Sequence, residues 1–315
     1  PAAELTAEEL KAILEKAAKA DEHWERILRM TAEQDNFKII IQPNRSWFHI
    51  DLQGIWDFRD LLILLVKRDF VTIYKQTVLG PLWFIIQPLL MTLVFTVIFG
   101  MMARLSTDGV PPMIFYLCGL LTWTYFANSL NATSTSLTAN VYLFGKVYFP
   151  RLIVPISVVI SNLFAFVIQL ATFLAFYIYF KFFTTAGADI HPNSFLFVLP
   201  LLLLQTAILA LGVGLWLSAL TAKYRDFTFL TGFLTQMWMY ATPIIYPLSM
   251  IPEKWRFIAV LNPMVPIVES YKYAFFGTGV MEINYFLISA GVTIIVCLTG
   301  ILAFNKAERN FIDTV

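Results

Sequence analysis

Phe229, Phe233, Gln236 and Tyr240 recur at intervals of three and four residues, and Tyr116, Trp123 and Phe126 form a second set with helical spacing. Each set falls on one helix face. Aromatic rings offer flat apolar platforms to the C–H faces of sugars, and Tyr, Trp and Gln add hydrogen bonds at the rim. A lining of this kind holds each sugar weakly. That suits passage, because conduction needs sites favourable enough to occupy and weak enough to leave. The same faces also fit an interfacial belt or ordinary helix packing, although Trp123 and Tyr240 lie deeper than a belt requires.

Glu269 and Lys272 stand three apart in an apolar stretch, so on a helix they share a face and pair. Buried alone, either charge would cost several kcal/mol, so a partner or a water-filled cavity is expected. The pair reads either as a structural ion pair or as part of an outer gate. No Walker A pattern occurs, and no nucleophile elbow, H-E-x-x-H motif or pair of catalytic carboxylates can be assembled. The chain is expected to be a transport subunit and no enzyme. His23, His49 and His191 are too scattered for a metal site, and Cys118 and Cys297 form no disulfide framework.

The elements that would position these residues are membrane helices. Hydrophobic residues make up 58% of the 315-residue chain and charged residues 14%, against about a quarter charged in soluble domains. Six apolar segments (82–102, 113–130, 154–180, 195–220, 227–246 and 283–304) approach or exceed the roughly 20 residues needed to cross hydrocarbon. The fold class expected is all-α integral membrane with six transmembrane helices. Lys67, Arg68, Lys75, Lys146, Arg151, Lys223, Arg225, Lys306 and Arg309 gather on one side, against Arg104, Lys181, Lys254, Arg256 and Lys272 on the other. By the positive-inside rule both termini are cytoplasmic. The net charge of +1 gives no reason to expect a nucleic-acid partner. No signal peptide is read at the start, and Pro1 in place of Met points to a processed terminus.

Three stretches are not spans. Residues 1–54 form a cytoplasmic arm in which 4–30 reads as a soluble helix, with Thr6 and Glu9 as a capping box. Residues 55–78 mix apolar clusters with too many charges to span, so they read as an amphipathic helix on the membrane surface. The connection 131–150 carries a further amphipathic helix. Residues 247–277 are too apolar for a solvated loop and contain Pro247, Pro252, Pro263 and Pro266. They read as two short re-entrant helices broken at Asn262-Pro263 within the 79–315 membrane domain.

Val78-Leu79-Gly80-Pro81-Leu82-Trp83 at the first span, Phe149-Pro150-Arg151 before the third and Tyr224-Arg225-Asp226 before the fifth, with Asn262-Pro263 and Glu269-Ser270-Tyr271-Lys272-Tyr273, resemble the type-2 ABC transporter permeases. The likeness is strongest to exporters of lipid-linked polysaccharides, the O-antigen, capsule and teichoic-acid permeases. It covers about residues 55 to 315 and leaves the arm unaccounted for. It implies a homodimer in the bacterial inner membrane, with a channel between the copies and a separate ATP-binding cassette ATPase carrying MgATP. By the same likeness 55–78 is the interface helix, and 141–151, with Tyr142, Phe144, Lys146 and Arg151, couples to the ATPase. Leu79 and Gly80 lie where the lipid-linked sugar enters. A glycine fits a tight turn there through positive φ, and a simple helix break at Gly80-Pro81 fits equally.

Two other readings remain open at this level. One keeps the family and changes the cargo to a drug or small lipid. The other is an ATP-independent channel or secondary transporter, which would place coupling charges deep in the spans. The deep polar residues are mostly neutral, among them Asn128, Asn162, Gln169, Gln205 and Gln236, and fit interhelical hydrogen bonds.

Overall fold

A backbone that cannot bond to water must bond to itself, and every long apolar segment is accordingly helical. The computed structural model describes residues 52–75, 79–144, 149–187 and 190–312. The expected arm helix and Lys146 lie outside the described residues. Among those residues there is no β-strand. Five helices are long and apolar enough to cross a membrane: Gly80–Met102, Pro112–Ser134, Ile153–Phe183, Ser194–Lys223 and Ile283–Glu308.

Two short helices, α1 (Leu52–Asp57) and α2 (Arg59–Lys75), precede the first of these. Helix α2 lies against the first half of the long helix α7 (Ile153–Phe183). Leu65 joins a buried cluster with Phe149, Ile153 and Val154, Ser161 Oγ donates to Asp69 Oδ2 at 3.4 Å, and the Phe70 and Phe164 rings are 4.8 Å apart. With 31 residues, α7 is about 46 Å long, more than the hydrocarbon thickness.

The first span begins with a tight turn at Gly80–Leu82, continues as α3 (Trp83–Phe95) and ends in a wider π-type turn over Thr96–Met102. Helix α4 (Pro112–Ser134) is mostly buried and packs against α7 and α8 (Leu199–Lys223), with α3 also touching it, while Thr124, Asn128 and Asn131 fall on its less covered face. Helix α12 (Ile283–Ile312) packs along α8. Glycine sets that approach: a Cβ on Gly300 would collide with the carbonyl oxygen of Gly212, and one on Gly212 would lie 2.7 Å from Cys297 Cα. Close crossing through small residues is how helices associate where lipid removes the hydrophobic drive. Gln205 Nε2 donates to Ser289 Oγ at 2.7 Å and bonds the same helices across the crossing. Leu201, Leu204, Leu287, Ile294 and Ile295 are exposed on α8 and α12, the surface a bilayer would cover.

Two expectations are corrected in form. The helix foreseen in 131–150 is broken: α4 runs on to Ser134, and α5 (Ser136–Ala139) and α6 (Val141–Phe144) follow as single turns. The fifth apolar segment does not give a membrane-length helix. Helix α9 (Phe227–Tyr240) has 14 residues, about 21 Å, and ends where Pro243 removes an N–H donor. Beyond it come α10 (Glu253–Val260) and α11 (Met264–Phe276), interrupted at Asn262-Pro263 as the sequence indicates. Asn262 closes the junction: it accepts from Trp238 Nε1 at 2.9 Å and donates to Thr242 Oγ1 at 3.1 Å.

Candidate functional site

Helix α9 has two unlike faces. Thr231, Thr235 and Met239 are buried, with Thr235 Oγ1 donating to Asn131 Oδ1 at 3.2 Å and Trp238 stacking edge-on against Phe126 at 5.2 Å. Phe229, Phe233, Gln236 and Tyr240 form the other face and are all exposed, Phe229 at 84% and Phe233 at 61%. The stripe runs the full length of the helix without an intramolecular ring partner among the described residues. Hydrophobic rings held out in this way mark a surface that meets something else.

The second aromatic set does not join it. Tyr116, Trp123 and Phe126 are enclosed in the core of the chain. Tyr116 lies against Phe95 at 6.1 Å and Phe115 at 5.5 Å, while Trp123 and Phe126 touch at 5.3 Å. Their shared face is buried within the chain, and of the three Phe126 meets α9, through Trp238.

Gly80 adopts φ of +50°, a left-handed conformation that costs a residue with a Cβ about 1–2 kcal/mol. It is buried at the turn into α3, and the adjacent Leu79 is partly exposed. On α6, Tyr142 projects outward. Arg151 does not: its side chain is only 12% exposed, and its guanidinium bonds Glu308 through Oε1 at 3.4 Å and the backbone carbonyl at 3.3 Å and covers the Phe144 ring at 5.1 Å. Arg151 thus ties the start of α7 to the end of α12.

Glu269 and Lys272 pair on α11 at 3.2 Å, each side chain 2% exposed. The ammonium also donates to the carbonyls of Pro243 and, at 3.5 Å, Tyr246, and it stands 3.9 Å from the centre of the Phe115 ring. Spacing foretold the pair. It could not reveal the carbonyls, which are 29 and 26 residues away in sequence. Gly279, at φ +114°, passes beside the second Glu269 oxygen, which has no hydrogen-bond partner among the described residues.

Membrane-length helices around a largely buried central helix, with a short helix exposing aromatic side chains, define a multi-pass membrane protein. The chain belongs to the ABC-2 type transporter membrane family, whose model matches residues 60–276. It is similar to the O-antigen export system permease protein RfbA of Klebsiella pneumoniae, 28% identical over 256 residues that cover 81% of this chain and 94% of that one. RfbA of Myxococcus xanthus is also 28% identical, over 266 residues, 84% and 98% of the two chains. Polysialic acid transport protein KpsM of Escherichia coli is 26% identical over 248 residues, 78% and 92% of the two.

Proposed function

We propose that this chain is the permease subunit of an ATP-driven exporter that carries a lipid-linked, O-antigen-like polysaccharide across the bacterial inner membrane. Two copies enclose the conduit, and MgATP is hydrolysed on a separate ATP-binding cassette subunit. The observation that carries the reading is the exposed stripe of Phe229, Phe233, Gln236 and Tyr240 on α9. Its rings and single amide match the chemistry of a weakly binding sugar path. The export systems named for the relatives fit that chemistry.

In this reading α9 is the sixth crossing element. It is short because the turn at 241–246 and helices α10 and α11 complete the passage as a re-entrant outer closure. Membrane lipids cover α8 and α12, both termini are cytoplasmic, and α2 is the interface helix. The lipid-linked sugar is taken up at Leu79 and Gly80, where the turn opens toward the cytoplasm. Tyr142 faces the ATPase, with Arg151 bracing α6 from inside through the Phe144 ring.

Proteoliposomes containing this chain and its ATPase decide the matter. Lipid-linked glycan should raise ATP hydrolysis and appear in the lumen. Stimulation by a small lipid or drug with no response to glycan would reassign the cargo, and glycan movement without the ATPase would remove the motor from the scheme.

A further inference from the structure

Lys272 has three donor hydrogens and three acceptors around them: the carbonyls of Pro243 and Tyr246, and Glu269 Oε1. The Phe115 ring closes another side. One side chain therefore joins α4, α11 and the turn that follows α9. An ion pair this deeply buried adds little to stability, because apolar residues of similar volume do as well or better. The carbonyls give it a use. Pro243 and Tyr246 lie in a turn, where a buried carbonyl without a donor is costly, and the ammonium supplies the donors.

The other end of this link is fixed. Ser289 Oγ donates to the Pro263 carbonyl at 2.7 Å, just before α11, and Tyr177 Oη to the Phe275 carbonyl at 2.9 Å. Asn193 Nδ2 donates to the Tyr273 carbonyl at 3.1 Å. Helix α11 is held by α7, α12 and the segment before α8, and Lys272 passes that rigidity to the turn. The turn in turn sets the outer end of α9, where Tyr240 stands.

We propose that Lys272 is a positioning residue for export: it pins turn 243–246, and with it the outer end of the aromatic stripe, to α11 without touching the cargo. This rests on the reading of α9 as the sugar path.

Native Cys118, fully buried on α4 one turn from Phe115, reports on the pin. In a Cys297→Ser background the assembled permease–ATPase complex is reconstituted in proteoliposomes as the parent, as Lys272→Met, and as the double variant Glu269→Gln/Lys272→Met, which removes both charges at nearly constant volume. A membrane-impermeant maleimide should label Cys118 at least about tenfold faster in both variants, because a lost buried donor loosens its surroundings. Glycan moved per ATP hydrolysed should fall severalfold in both. In the unmutated complex, hydrogen exchange at the Ile244 amide, which donates to the Thr242 carbonyl at 2.7 Å inside the pinned turn, should be slower than in α10, a measurement that needs no variant to fold.

Parental labelling in an assembled double variant, or an Ile244 amide exchanging as fast as those of α10, would overturn the pin. Faster labelling with undiminished export per ATP would overturn the positioning role while leaving the pin as structure. Failure of the parent complex to move glycan at all, with labelling and exchange as expected, would count against the sugar-path reading and so remove the role that depends on it.

Discussion

Phe229 and Phe126 carry the same side chain in opposite settings, and alanine at each should separate path from core. Phe229→Ala and Phe233→Ala remove exposed rings and should change the melting temperature of the purified chain little, within about 0.5 kcal/mol, while lowering glycan export. Phe126→Ala leaves a cavity beside Trp123 and Trp238 and should cost about 3–5 kcal/mol, seen as lost yield and a lower Tm. Full export from Phe229→Ala/Phe233→Ala would remove the stripe from the path. Gly80→Ala should assemble with the ATPase but export poorly, since φ of +50° disfavours a Cβ at the turn. At this scale the sequence was informative where spacing was enough. The i, i+4, i+7 interval placed Phe229, Phe233 and Gln236 on one face, and i, i+3 paired Glu269 with Lys272. Spacing alone says that Tyr116, Trp123 and Phe126 share a face, not what that face meets, and it is the face of α4 that other helices cover, whereas Asn128 and Ala132 are exposed.

Helices α8 and α12 approach through Gly212 and Gly300, so Gly300→Ala should push them apart and destabilise the chain by about 1–3 kcal/mol, measurable as a fall in Tm. The Arg151–Glu308 tie makes a different prediction. Arg151→Glu should weaken both stability and coupled ATP hydrolysis, and the exchange Arg151→Glu/Glu308→Arg should restore stability. If Arg151 acts only as an internal brace, coupling returns with stability; if its charge meets the ATPase directly, coupling stays low. The elements were legible to unequal degrees. Five segments were apolar for long enough to fix a helix, and Asn262-Pro263 marked the break between α10 and α11. The fifth apolar segment was read too long because hydropathy continues through Ile244 and Ile245 past Pro243, and those residues are buried in a turn instead of a helix. The amphipathic period of 131–150 crosses Thr135 and Asn140, where the backbone departs from helical geometry and divides the expected helix.

Across the whole molecule the exposed surfaces divide by chemistry. Leu201, Leu204, Leu287 and Ile294 offer aliphatic surface suited to lipid, whereas α9 sets its rings and amide beside exposed Leu230, Leu234 and Met237, and further rings stand exposed at Phe182, Phe197 and Trp216. Composition and hydropathy sufficed to place the chain in a membrane, but the inward or outward direction of each helix depends on contacts far apart in sequence, which no local pattern encodes. The central claim is that cargo travels along α9 between two copies. The most direct test places a photo-crosslinking residue at Phe229, Phe233, Gln236 or Tyr240, and as controls at Leu204 or Leu287, in the complete exporter during ATP-driven transport. Glycan adducts should form from the α9 positions, depend on ATP and be absent from the controls; equal capture at Leu204 and Leu287, or none along α9 while export proceeds, would contradict the account.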